Sequence, residues 1–171
     1  MGNWGKGKTV MERPMKVYPR HPFATSSPVV VSQGCGPHHV AKDLRFDGTG
    51  WFSVDPNIPD SPNPTKVFAM ESGVVVNYRI NCPHCPDSNN CPKFANMILV
   101  RGSDGYYTEY AHVSGTHMLP GLEITQGKLL GWVDNSGVTT GPHVHIGRSA
   151  PGDAATWFQR LVCDWRVQGV D

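Results

Sequence analysis

The chain has 171 residues, 39% of them hydrophobic, which is the size of one domain with enough apolar side chains for a sizeable core. Fifteen Lys and Arg against 14 Asp and Glu leave a formal net charge of +1, so charge supplies no argument for binding nucleic acid or a membrane surface. No run approaches the ~18 apolar residues of a membrane-spanning helix, and there is no heptad pattern, long charge run or internal repeat.

In chain order, residues 1–20 read as an N-terminal arm: Gly2, Gly5 and Gly7 are interspersed with Lys and Arg, without apolar periodicity. They lack the apolar centre of a secretory signal, so export would rest on a signal already removed or on another route. Residues 21–171 read as one mainly β domain, because short β-prone runs alternate with Gly and Pro turn signals. Gly36–Leu44 brings together His38, His39 and Asp43, residue types that ligate zinc, with Asp47 as a competing carboxylate in a Gly-rich turn. Gly48–Pro64 is proline-rich and longer than a common connection, a long loop of the functional kind. Cys82, His84, Cys85 and Cys91 lie in a polar loop between two predicted strands. They read either as a disulfide-stapled loop or as a second, structural zinc site, and with Cys35 and Cys163 the odd total leaves at least one cysteine unpaired. In Tyr106–Val113, aromatic and β-branched residues predict a strand on which Tyr110 and His112 share a face. Thr139–Gly147 predicts a Gly-Pro turn followed by a short strand, with His143 and His145 projecting together and Val144 turned to a core. Asp153–Val162 is the one predicted helix, with Asp153 as its cap.

The order His39-x-x-x-Asp43, Tyr110-x-His112, Gly141-Pro142-His143-x-His145 resembles the lysostaphin-type (LytM-like) zinc endopeptidases, which carry His-x-Gly-x-Asp, Tyr-x-His and Gly-Pro-His-x-His elements in that order. Thr65–Ala69 followed by Ser72–Val75, then Asn96–Val100, resemble that family's paired strands. Gly121, Gln126–Gly131 and Ser136-Gly137 resemble its glycine-rich approach to the last histidines. The likeness runs from about Phe23 to Arg148, with Ala41 standing where the family has Gly.

The resemblance implies a single antiparallel β-sheet domain with long loops, and a zinc ion held by His39, Asp43 and His145. It implies His112 and His143 as the acid–base pair beside a metal-activated water, without saying which is the base. Tyr110 is either a hydrogen-bond donor to the transition state or a packing residue. The implied substrate is a peptide of bacterial peptidoglycan, cross-bridge or stem, with the protein in the cell envelope or outside the cell. An extracellular substrate favours disulfides in the cysteine loop, which would then be structural and separate from catalysis. The alternatives are a non-catalytic zinc-binding or interaction module of the same fold, and a structural zinc protein with its metal in the cysteine loop.

Overall fold

The structure, a computed structural model, describes residues 14–37, 39–51, 65–85, 91–115, 118–151 and 161–171. Twelve strands follow one another: β1 (Lys16–Tyr18), β2 (Val29–Gln33), β3 (Lys42–Phe46), β4 (Lys66–Phe68), β5 (Gly73–Arg79), β6 (Met97–Gly102), β7 (Tyr107–Ala111), β8 (Val113–Gly115), β9 (Glu123–Ile124), β10 (Leu129–Val133), β11 (Val144–Ser149) and β12 (Trp165–Val167). The mainly β expectation holds, and there is no helix among the described residues.

The architecture is three sheets rather than one. Seven strands form an antiparallel sheet in the order β2-β3-β11-β7-β6-β5-β9, a second sheet has the order β4-β10-β8, and β1 pairs with β12 in parallel. The core lies where one face of the large sheet meets the β4-β10-β8 sheet. It takes Leu44, Val75, Ile98, Val100, Tyr110, Val144 and Ile146 from the first and Val67, Val113, Leu130 and Val133 from the second. Burying each such side chain is worth about 1.5–3 kcal/mol before ordering entropy is charged against it.

Strand periodicity sorts the two faces of the large sheet. Ile98, Tyr110 and Ile146 are register partners across β6, β7 and β11, and all three are buried in the core. The rung one residue along carries Met97, Ala111, His145 and Asp43 across β6, β7, β11 and β3. A shift of one residue reverses the face, so this rung belongs to the opposite side.

One expectation is corrected. Lys16–Tyr18 is a strand, not part of an arm: its parallel partner β12 lies at the other end of the sequence, where local periodicity gives no hint of it. Tyr18 is fully buried, edge-on to Trp165 with ring centroids 5.4 Å apart, and Lys42 Nζ donates to the Trp165 carbonyl at 2.8 Å. The predicted helix falls mostly outside the described residues, and its last two residues, which are described, are not helical. Leu161 bridges Ser149, and Val162 N–H donates to the Arg148 carbonyl at 2.8 Å. Most of the Gly48–Pro64 loop and residues 1–13 likewise lie outside the described residues.

Candidate metal centre

Asp43 on β3 and His145 on β11 are register partners. Strand pairing alone therefore sets their side chains side by side on the face away from the core, and His145 Nδ1 lies 2.8 Å from Asp43 Oδ1. His39 precedes β3, in a tight turn closed by a bridge between Gly36 and His39, and its Nε2 lies 3.5 Å from the same carboxylate oxygen. Ala41, where the resembled family has Gly, is buried with no left-handed backbone, so this path to the carboxylate does not require glycine. A bulge in β2 between Val31 and Gln33 places Gln33 opposite Asp43 at the rim; bulges re-aim side chains in this way beside functional sites.

One ligand atom from each of His39, Asp43 and His145 lies within 4.8 Å of the others. Two imidazole nitrogens and one carboxylate oxygen suit zinc and leave a coordination position open. His39 Nδ1 faces the Gly34 carbonyl at 3.3 Å, which directs Nε2 to the cluster in the manner of a ligating histidine oriented by a backbone acceptor. Burial works to raise the Asp43 carboxyl, but the hydrogen bond from His145 and the nearby His143, His145 and His39 outweigh it, and the group is held below its usual range. An ionised carboxylate is what a cation site requires. The donor set thus fits the metal. Asp47 is exposed in the turn beyond β3, apart from the cluster, and His38 lies outside the described residues.

Two further imidazoles flank the cluster. His143, in the turn before β11, directs Nδ1 at the Gly141 carbonyl at 2.8 Å, with Nε2 3.7 Å from Asp43 Oδ2. His112 directs Nδ1 at the Ser136 carbonyl at 2.7 Å, and its ring lies 4.7 Å from His143 and 6.2 Å from His145. A carbonyl only accepts, so each Nδ1 carries the proton and each Nε2 is left as a base. Burial, then the neighbouring His143, pushes the His112 pKa down to about 3; burial also lowers that of His143, against the opposing pull of Asp43. Both rings are neutral near pH 7.

His112 departs from the expected geometry. It does not share a face with Tyr110, because its backbone is left-handed, with φ 59°. This residue is the crossing point where the chain leaves β7 in the large sheet and enters β8 in the small one. Period-2 alternation fails there, so Tyr110 enters the core, where its hydroxyl accepts from Met70 N–H at 2.8 Å, and His112 enters the cleft. Tyr110 is a packing residue.

The cleft has a volume of about 330 Å³ and is floored by His39, Asp43, Ala111, His112, His143 and His145. Arg79, Lys93 and the exposed Phe94 border it, as do the exposed Val138 with Thr139 and Thr140. Arg79 and Lys93 both sit against the Phe94 ring, 4.8 and 5.5 Å from its centroid. Thr139 and Thr140 open the stretch that leads to His143 and His145, whereas Arg79, Lys93, Phe94 and Val138 belong to no motif and carry no signal in residue pattern. The cysteines resolve into Cys35–Cys163 and Cys85–Cys91, leaving Cys82 as the free thiol. With Cys85 and Cys91 joined, the zinc alternative for that loop loses two of its ligands. The loop is also less separate from the site than expected. Cys85 N–H donates to the Asn135 carbonyl at 2.8 Å, and Cys91 Sγ lies 3.8 Å from the carbonyl of Thr139 on the cleft wall.

Residues 59–155 match the model of Peptidase family M23, more than half of the chain. The matched span contains His112, His143 and His145 but begins after His39 and Asp43, whose membership of the site rests on the geometry above. The chain is 39% identical over 107 residues to the cell division protein DipM of Caulobacter vibrioides, covering 63% of this chain and 16% of that one. It is 31% identical over 84 residues to the peptidoglycan DD-endopeptidase ShyA of Vibrio cholerae, covering 49% and 17%. The chain therefore spans less than a fifth of either relative. Among solved structures, the catalytic domain of a mutant of the prophage-encoded M23 protein EnpA from Enterococcus faecalis superposes with a TM-score of 0.55 at 19% identity, covering 85% of this chain and 93% of that one. A zinc containing peptidase from Vibrio cholerae gives 0.54 at 17% identity, covering 78% and 37%. At these identities the structural likeness speaks to the fold, and it agrees with the sequence match: this chain belongs to Peptidase family M23.

Proposed function

We propose that the chain is a zinc-dependent endopeptidase that hydrolyses peptide bonds of bacterial peptidoglycan and works in the cell envelope or outside the cell. The observation that carries this is the pairing of a His39–Asp43–His145 donor set with two neutral imidazoles whose Nδ1 atoms are tied to backbone carbonyls. A zinc ion on that donor set supplies Lewis acidity and makes water nucleophilic near neutral pH. Nε2 of His112 or His143 takes the proton of the attacking water and returns it to the leaving amine, and the imidazolium formed in between donates to the developing oxyanion. Ala111, paired with His145 and Met97, presents only a methyl group to the cleft, which leaves room beside the histidines for a peptide substrate. Peptidoglycan as the substrate draws on relatives: ShyA is named a peptidoglycan DD-endopeptidase, and a shorter match, over 52 residues, is the DD-carboxypeptidase/endopeptidase Mpg of Neisseria meningitidis.

The test is digestion of purified peptidoglycan by the zinc-loaded protein, with mass analysis of the fragments, alongside chelated protein and protein with zinc restored. New amine and carboxyl ends that appear only with metal support the reading and identify the bond cut. Intact sacculi and cross-linked peptides after incubation with fully metallated protein would refute it and leave a metal-binding module.

A further inference from the structure

We infer that Asp134, together with Asn96 and Ser136, is the positioning device for His112: it holds that residue's left-handed backbone and its ring so that Nε2 faces the cleft as a base, an inference that rests on the endopeptidase reading. Asp134 follows β10, is fully buried, and does not line the cleft. A buried carboxylate is retained only where hydrogen bonds compensate for its lost hydration. Here Asn96 Nδ2 donates to Oδ2 at 2.6 Å, while Ser136 N–H and Oγ–H donate to Oδ1 at 2.9 and 2.6 Å.

The polarity of this network is fixed. Ser136 N–H can only donate, so Oδ1 of residue 134 must accept, and Ser136 Oγ, which accepts from Asn96 N–H at 2.8 Å, keeps its own proton for the same oxygen. Asn96 Oδ1 accepts from Cys82 N–H at 2.8 Å, so its amide presents NH2 to Asp134. Both oxygens of residue 134 must therefore accept, which a carboxylate does and an asparagine does not.

The same three residues hold His112 from every side. His112 N–H donates to the Asn96 carbonyl at 3.0 Å, Asp134 N–H donates to the His112 carbonyl at 2.9 Å, and the His112 ring donates to the Ser136 carbonyl at 2.7 Å. A residue bearing a Cβ keeps a left-handed conformation only when its surroundings impose it. The surroundings are this network, and its one charged member is Asp134.

The experiment is Asp134→Asn in the zinc-loaded protein. The expected result is one zinc per chain, KM within about twofold, and kcat lowered about 10- to 100-fold, the usual effect of removing a support behind a functional group. Nitrogen-15 shifts of the His112 ring, a readout independent of turnover, should change from a single Nδ1–H form to a mixture. The double variant Asn96→Asp with Asp134→Asn exchanges amide and carboxylate, restores every donor–acceptor pair, and should return both the ring signals and kcat towards wild type. Should Asp134→Asn be too unstable to purify, the double variant decides: a single Nδ1–H form supports the inference and a mixed one overturns it. Unchanged ring signals in Asp134→Asn also overturn it, whatever happens to kcat. A wild-type protein that binds zinc but cuts no peptide removes the endopeptidase reading, while the ring signals still report whether Asp134 orients His112.

Discussion

Replacing His112 with Asn should flatten the acid dependence of stability in the metal-free protein. Asn is the choice because it tolerates the left-handed backbone at this position, with φ 59°, where Ala would add strain. The His112 imidazole is 6% exposed, and its pKa falls from 6.5 to about 3, first through burial and then through His143. The unfolded chain takes up a proton on this ring below pH 6.5, and the folded chain does so only near pH 3. Between those values the unfolded state binds more protons, so unfolding free energy rises with pH, and the stability present above pH 6.5 drains away on acidification. One proton corresponds to about 1.4 kcal/mol per pH unit, so acidification from pH 6.5 to 4.5 removes roughly 2–3 kcal/mol through this ring. That is a large share of the ~5–15 kcal/mol typical of a domain. His143 and His21 are lowered as well and act in the same direction, whereas burial raises Asp134, which opposes them at the acid end. The contribution of His112 is therefore read as a difference. Urea melts of chelated wild type and His112→Asn, taken every half unit from pH 7 to 4.5, should give curves whose slopes differ by about 1 kcal/mol per pH unit or more. Parallel curves would show that the folded protein does not hold His112 neutral, and the assignment of an unprotonated Nε2 facing the cleft would fall with it.

Four further outcomes are expected. His39→Ala or His145→Ala should abolish zinc binding as measured by metal analysis, whereas His143→Ala should keep the metal and lose hydrolysis by about 10²- to 10⁴-fold; a metal-free His143→Ala would make that residue a ligand. Thiol titration of the denatured, unreduced chain should find one thiol, that of Cys82. Cys163→Ser should lower the Tm markedly, because Cys35–Cys163 closes a separation of 128 residues, worth about 5 kcal/mol in the chain-entropy account. Gly137→Ala should destabilise by ~2 kcal/mol or more and reduce turnover: its φ is +71°, and an added Cβ would lie 2.8 Å from Ala95 Cβ and backbone N, beside the Ser136 carbonyl that accepts the hydrogen bond from the His112 ring. A calorimetric Tm within a degree of wild type would contradict this.

What the sequence discloses about this fold follows the range over which its determinants act. His143 and His145 reveal themselves through period-2 spacing, and His39 with Asp43 through ligand chemistry at short separation. The β-rich segments around Met97–Gly102 and Tyr107–Ala111 are legible because alternation is local. The pairing of Lys16–Tyr18 with Trp165–Val167 is invisible for the opposite reason, since three residues of strand carry no periodicity and the partner lies at the other end of the chain. His112 misleads a period-based reading because one left-handed residue moves its side chain from the core face to the cleft. Arg79, Lys93 and Phe94 reach the cleft from a β5 end and a loop that only the fold brings together. Asp134, in Asp-Asn-Ser-Gly, has the composition of an ordinary turn, and nothing in those four residues announces that Asn96 and His112 will close around it.

The direct opposition of Asp43 and His145, 102 positions apart in the chain, gives the metal site a second reading in time. A partly folded chain offers His39 and Asp43 as neighbours four residues apart, a bidentate fragment of little affinity. The third ligand arrives only when β11 has docked between β3 and β7. If β11 docks one residue out of step, His145 turns to the wrong face. Tight metal capture during refolding therefore marks the moment at which the longest-range pairing in the large sheet is made correctly. A metal-sensing dye competing for the ion would time that step without a label on the protein, and chelation would withdraw the bias towards the native register at the point where the chain has most alternatives.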